Sequence, residues 1–165
     1  MKDILYSEWV PAGKFVKATI ASVILLALLV SALVIWASVQ VRNPPLAAVV
    51  AIPIAFLLVM YGNYRGIKIR ITKNELTIHY GLLNRKHVQI SDIVSCEPTK
   101  ANFGKYWGVG IRYGTDRSFA YTTSFGDAVK ITLKKGRPFV FSSHNPQEIC
   151  NIINQTKEST QMGNT

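Results

Sequence analysis

Residues 18–41 form a run of 24 positions without one Asp, Glu, Lys or Arg, and after Arg42 the 22 residues 43–64 are uncharged as well. As helices the two segments extend about 36 Å and 33 Å, each more than the roughly 30 Å hydrocarbon core of a bilayer. Nothing else in the chain constrains its fold so strongly. Between them stands Arg42-Asn43-Pro44-Pro45. Prolines suit the first turn of a helix, and so short a connection makes the two helices antiparallel neighbours. The sequence therefore predicts a transmembrane hairpin, with spans at about 18–41 and 44–64.

The charges lie elsewhere. Of the 28 Asp, Glu, Lys and Arg, residues 1–64 hold 6 and residues 65–165 hold 22. The second part is about 22% charged, close to the roughly 25% of a soluble domain, and can fold in water. A single soluble globule, a disordered chain, a collagen-like repeat and a disulfide-stapled secreted scaffold are thereby excluded.

Pro53 falls in the middle of the second predicted helix, where a kink packed against the neighbouring helix is expected. Neither span holds an ionisable Asp, Glu, Lys, Arg or His. Proton relays and ion pathways need such groups, which argues against a two-helix transporter or pump. Lys14 and Lys17 precede the first span and Arg65, Lys68, Arg70 and Lys73 follow the second, against Arg42 alone in the turn. The excess of cations at both ends predicts cytoplasmic termini and a multi-pass protein of the inner or plasma membrane. Trp9, Phe15, Trp36, Tyr61 and Tyr64 are placed as interfacial anchors. A cleaved signal peptide is the competing reading, but the apolar run exceeds the usual 7–15 residues and lacks an Ala-x-Ala exit.

Beyond residue 64 the hydrophobic period falls to two. Ile67, Ile69 and Ile71 alternate with Lys68 and Arg70, and Leu76, Ile78 and Tyr80 repeat the pattern past a turn at Lys73-Asn74. Further strands are expected around 86–90, 93–97, 107–113, 118–123 and 129–133, with Phe139 and Phe141 on a last one. Residues 101–105 read as a loop. About seven antiparallel strands result. Asn145-Pro146-Gln147-Glu148 has the form of a capped helix start, and Ile149, Ile152 and Ile153 make its apolar stripe. Residues 158–165 read as a frayed polar tail.

Seven strands and a closing helix resemble the pleckstrin-homology (PH) superfold, and with a preceding hairpin the chain resembles the membrane-anchored bacterial PH-like domain proteins. The residues that carry the likeness are Gly108-Val109-Gly110-Ile111-Arg112, Val129-Lys130-Ile131-Thr132-Leu133, Lys135-Gly136-Arg137-Pro138-Phe139 and Asn145-Pro146-Gln147-Glu148. Asn145 stands where that family often has Asp. The resemblance implies a hairpin and N-terminus over 1–64, a PH-like domain over 65–157 and a tail over 158–165, with no catalytic residues.

The chemistry-bearing motifs agree. No phosphate-binding G-x-x-x-x-G-K-[ST], no G-x-S-x-G and no H-E-x-x-H occurs. His79, His87 and His144 are scattered, so no metal or cofactor is expected, and His79 reads as an exposed polar strand residue. Cys96 and Cys150 lie far apart in sequence and, in a reducing compartment, are expected to be free thiols, with Cys150 partly buried. Gly104, Gly108 and Gly110 precede a strand and not a helix, which suits turn geometry better than a phosphate loop.

Charge remains. Residues 65–165 carry 15 Lys and Arg against 7 Asp and Glu. Near an anionic leaflet each cation gains about 1 kcal/mol. Lys14, Lys17, Arg65, Lys68, Arg70, Arg85 and Lys86 are the expected headgroup contacts, with Lys134, Lys135 and Arg137 as a further basic group. Lys68-x-Arg70 also resembles a fragment of the motif with which some eukaryotic PH domains hold inositol phosphates. The strand aromatics fall on the inward face, which argues against nucleic acid. The leading expectation is a non-enzymatic module that binds lipid headgroups or a protein at the inner leaflet. The alternatives are an accessory subunit of a larger membrane complex or homo-oligomer, helped by the small residues Ala18, Ala21, Ser22, Ala27, Ser31 and Ala32, and, further off, a lipid-modifying enzyme.

Overall fold

Alternating apolar side chains can be buried only if a second layer covers them, and this chain supplies two sheets and a helix to do so. The computed structural model describes residues 3–40 and 50–162. Strand β1 (Ile4–Pro11) leads into helix α1 (Lys14–Gln40), and helix α2 (Ala51–Tyr64) leads into β2 (Gly66–Thr72), β3 (Glu75–Tyr80) and β4 (Asn84–Gln89). A 3-10 turn (Ile90–Asp92) opens β5 (Ile93–Ala101), followed by the one-turn helix α3 (Phe103–Tyr106), β6 (Gly110–Tyr113), β7 (Phe119–Thr122), β8 (Gly126–Leu133), β9 (Phe139–Ser142) and the terminal helix α4 (Pro146–Met162).

The strands form one sheet of order β1-β2-β3-β4 and a second of order β5-β8-β9-β7-β6. All pairings are antiparallel except β7 with β9, which is parallel. Ile67, Ile69, Ile71, Leu76 and Ile78 of the first sheet, Val129, Ile131, Phe139 and Phe141 of the second, and Ile149 and Ile153 of α4 are all fully buried in one core. Each such side chain contributes about 1.5–3 kcal/mol by leaving water. A smaller cluster of Ala101, Tyr106, Ala120, Ala128 and Val140 lies apart from this core, with α3 contributing Tyr106.

Several expectations change. The count is nine strands among the described residues, because β1 adds to the segments that the alternation marks between residues 67 and 141. Residues 101–105 are not simply a loop, since β5 ends at Ala101 and α3 begins at Phe103. The terminal helix runs to Met162, beyond Glu158 where fraying was expected. The N-terminal segment is not an interfacial leader alone: β1 pairs with β2 from Ile4↔Thr72 to Pro11↔Gly66, so residues of both sides of the apolar helices share one sheet.

The free-thiol expectation is overturned. Cys96 on β5 and Cys150 on α4 form a disulfide, with Cα atoms 5.3 Å apart. A separation of 54 positions gave no hint of this, because only the docking of α4 onto β5 brings the two together.

Helix α1 is 27 residues long, about 40 Å, and is long and apolar enough to cross a membrane. Only 6% of its apolar window is buried inside the protein, unlike the core helix of a soluble domain. Helix α2 is apolar but spans 14 described residues, about 21 Å. The predicted turn at Arg42–Pro45 and the start of the second predicted span lie outside the described residues. Pro53 occupies the third position of the described helix, in its first turn, where proline is readily accommodated.

Candidate functional site

Where the two apolar helices meet the β domain, main-chain bonds fix their ends. The Ala12 amide donates to the Arg65 carbonyl and the Gly13 amide to the Thr123 carbonyl, both at 2.9 Å. The residues just before α1 and just after α2 are thus held side by side, with Gly13 also tied to the end of β7.

From that junction the register of the first sheet builds a cationic face. Lys68 on β2 pairs with Trp9 on β1 and His79 on β3, and His79 pairs with Arg85 on β4. In the next row but one, Arg70 pairs with Ser7 and Thr77, and Thr77 with His87. Paired residues share a face, so Lys68, Arg70, His79, Arg85 and His87 all stand on the outer surface of this sheet. The His79 and His87 rings are 6.3 Å apart, and the Thr77 hydroxyl meets His87 Nδ1 at 3.4 Å.

Like charges placed directly opposite each other destabilise a sheet. Among the described residues no carboxylate forms an ion pair with Lys68, Arg70 or Arg85, whereas Lys73, Lys105 and Lys130 each have one. Lys73 pairs with Asp3 at 3.1 Å, His87 approaches Glu75 at 3.9 Å, and Lys105 and Lys130 lie 2.9 Å and 3.7 Å from Asp116. Burial alone would raise the Asp116 pKa, but hydrogen bonds from Ser118 and Lys105 hold it well below the carboxylate range. His79 shows the opposite situation. Partial burial, then the charges of Arg85, His87, Arg70 and Lys68, push its pKa below the ordinary 6.5, so the neutral imidazole is favoured there.

Around the helix ends the loops carry exposed apolar side chains. Leu82 and Leu83, in the β3–β4 turn, are 57% and 72% exposed. That turn is clasped to α2: the Leu83 amide and the Asn84 side-chain amide donate to Asn63 Oδ1 at 3.4 and 3.3 Å, and Leu82 Cδ1 lies against Gly62. Trp107 is 71% exposed at a positive φ of 52°, three residues before Gly110, which backs onto the Tyr64 ring. Phe125 follows Ser124, which touches Gly13 at the start of α1. Together these loops form an apolar rim around the helix ends.

Of the residues singled out from sequence, the structure brings Lys68, Arg70 and Arg85 together and sets Arg65, Lys14 and Lys17 at the helix ends beside them. Arg65 stacks over the Trp9 ring at 5.6 Å. Lys86 is separated from the group, because it pairs with Ile78 and so faces the opposite side of the sheet, toward Leu133 and Lys135. Phe15, Trp36, Tyr61 and Trp9 are exposed, whereas Tyr64 is half-buried and packs edge-on against Tyr80 at 5.9 Å. His79 and the rim residues Leu82, Leu83, Trp107 and Phe125 were not among the expected contacts. A Gly-Leu-Leu turn, where polar residues are usual, is the sequence signal for the rim.

No family model, no curated protein and no solved structure matches this chain.

Proposed function

We propose that the chain is a non-enzymatic, membrane-anchored interaction module of the PH-like kind, held by a helical hairpin, whose cationic sheet face engages anionic headgroups of the adjoining leaflet. The observation that carries this reading is the Lys68–His79–Arg85 row, with Arg70 beside it, free of carboxylate partners among the described residues and starting four residues after α2. Strand of that length spans about 13 Å, so flexible Lys and Arg side chains can reach a surface at the helix ends.

The pairing of β1 with β2 supports the hairpin. These strands flank the two helices in sequence and share one sheet, so they lie on the same side of any membrane. A chain that leaves through α1 must return before β2, and the uncharged run expected as a second span over 44–64, which contains α2, lies between them. The cationic flanks favour cytoplasmic termini.

The test uses the full chain in lipid nanodiscs and measures acetylation of Lys68 by an amine-reactive reagent. Discs of phosphatidylcholine with phosphatidylglycerol are expected to protect Lys68 several-fold relative to phosphatidylcholine alone, while Lys134 and Lys135 react equally in both. Equal Lys68 rates would count against headgroup binding.

The Cys96–Cys150 disulfide favours a second reading, in orientation alone. Such bonds persist mainly in oxidising compartments. In that reading the same module faces the outer side of the membrane, with its sheet face applied to the opposite leaflet.

A further inference from the structure

Between α1 and α2, at their domain-proximal ends, lies a groove of about 190 Å³, large beside the roughly 30 Å³ share of one water. Lys17, Ile20, Ala21 and Ile24 line it from α1, and Tyr61 and Arg65 from the end of α2. The spacing of the first four puts them on a single helix face. Ala21 is small and leaves room between the half-buried Ile20 and Ile24, which make the wall apolar.

At the mouth the chemistry reverses. Lys17 and Arg65 line the same small space, and no carboxylate pairs with either among the described residues. Two cations lining one apolar groove make an anionic group the favoured occupant beside them. The fold fixes where both side chains start: Arg65 is stacked on Trp9 and its carbonyl accepts from Ala12, and the Lys17 amide donates to the Gly13 carbonyl at 3.0 Å. A ligand that fits must therefore carry an anionic head and an apolar tail in that order along the helix axis.

We infer that this groove is a binding site for one anionic glycerophospholipid, its phosphate held between Lys17 and Arg65 and an acyl chain laid along Ile20, Ala21 and Ile24. The inference rests on the proposed membrane anchoring and adds to it a discrete bound lipid, distinct from diffuse attraction at the sheet face. Free phosphate satisfies the mouth but leaves the apolar wall uncovered, so the lipid is the better occupant.

The experiment is native mass spectrometry of the full chain, released in mild detergent from bilayers of equal phosphatidylglycerol and phosphatidylcholine. One phosphatidylglycerol per chain is expected to remain, including in excess inorganic phosphate. Lys17→Gln with Arg65→Gln is expected to lower the retained fraction roughly tenfold or more. Ala21→Leu, which fills the groove and keeps both charges, is expected to lower it as well, and Lys134→Gln with Lys135→Gln to leave it unchanged. Equal retention of the two lipids, displacement by inorganic phosphate, or full retention in both groove variants would overturn the site. Carbonate extraction run in parallel separates the two levels. A chain that stays in the membrane yet keeps no phosphatidylglycerol defeats the groove alone, whereas a chain that is extracted defeats the anchoring as well.

Discussion

The carboxylate of Glu8 accepts hydrogen bonds from the Ser143 hydroxyl and the His144 amide, each at 2.7 Å, tying the strand before α1 to the segment that enters α4. Tyr6 also donates to it at 3.2 Å, and Ser143 in turn accepts from the Asn145 amide at 3.0 Å. The first residues of the chain therefore hold the start of its last helix. Removing the acceptor strands the hydroxyl of the buried Ser143 and the His144 amide, so Glu8→Ala is expected to lower stability by about 1–3 kcal/mol. Glu8→Gln, which keeps one carbonyl oxygen, should lose less. Thermal unfolding of the full chain in detergent checks both.

The β3–β4 turn depends on a missing side chain. Gly81 has a φ of +61°, and a Cβ at that position would collide with the Asn63 carbonyl. Gly81→Ala therefore adds a backbone clash to the ordinary penalty of a left-handed alanine, and is expected to destabilise by more than about 1 kcal/mol. The turn must withdraw from α2, carrying Leu82 and Leu83 with it. Faster amide exchange at residues 81–84 with little change in β8 and β9 would report that separation. Unchanged exchange there would show that the turn and α2 are not coupled as described.

Strands β2, β3 and β8 could be read from the sequence because each presents an unbroken row of Ile, Leu or Val at every second position to a fully covered core. Strand β1 could not, because Glu8 interrupts its inward set of Tyr6 and Val10, and the role of that charge appears only when Ser143 arrives from 135 positions away. The site divides in the same way. Lys68 and Arg70 are conspicuous by alternation alone, but their grouping with His79 and Arg85 follows from register, which turn residues do not fix uniquely. The exposed Leu82 and Leu83 acquire meaning only from the approach of α2. Disulfide pairing is the extreme case, since spacing along the chain carries no information on the distance between β5 and α4.

His79 should titrate below 6.5, held down by partial burial and then by Arg85, His87, Arg70 and Lys68. The unfolded chain binds a proton at higher pH than the native one, so stability is full above 6.5 and declines as pH falls from 6.5 through the lower native value. Arg85→Gln removes the largest of the charges and is expected to move the native titration midpoint up. Phosphatidylglycerol at the sheet face should move it in the same direction, and binding should tighten as pH falls. Imidazole chemical shifts followed against pH in nanodiscs measure all three. A midpoint unaffected by both Arg85→Gln and the anionic lipid would remove His79 from the site.

The Cys96–Cys150 bond closes a loop of 54 positions and fastens α4 to β5 beside the buried Ile149 and Ile153. Cross-links of this kind stabilise by roughly 2–4 kcal/mol, mainly by restricting the unfolded chain. Reduction, or Cys96→Ser with Cys150→Ser, is thus expected to lower the thermal midpoint, with faster amide exchange in α4 before β2 and β3 are affected. Ile149 and Ile153 still bury their side chains without the bond, so the helix should loosen and not detach. The same pair reports which side of the membrane the module occupies. Alkylation of intact cells after acid quenching traps free thiols: a module on the oxidising side should take up no alkyl group until reduced, and one on the reducing side should take up two. The cationic flanks of the helices favour the second result and the observed bond the first, so a single mass measurement decides which of the two forces set the topology.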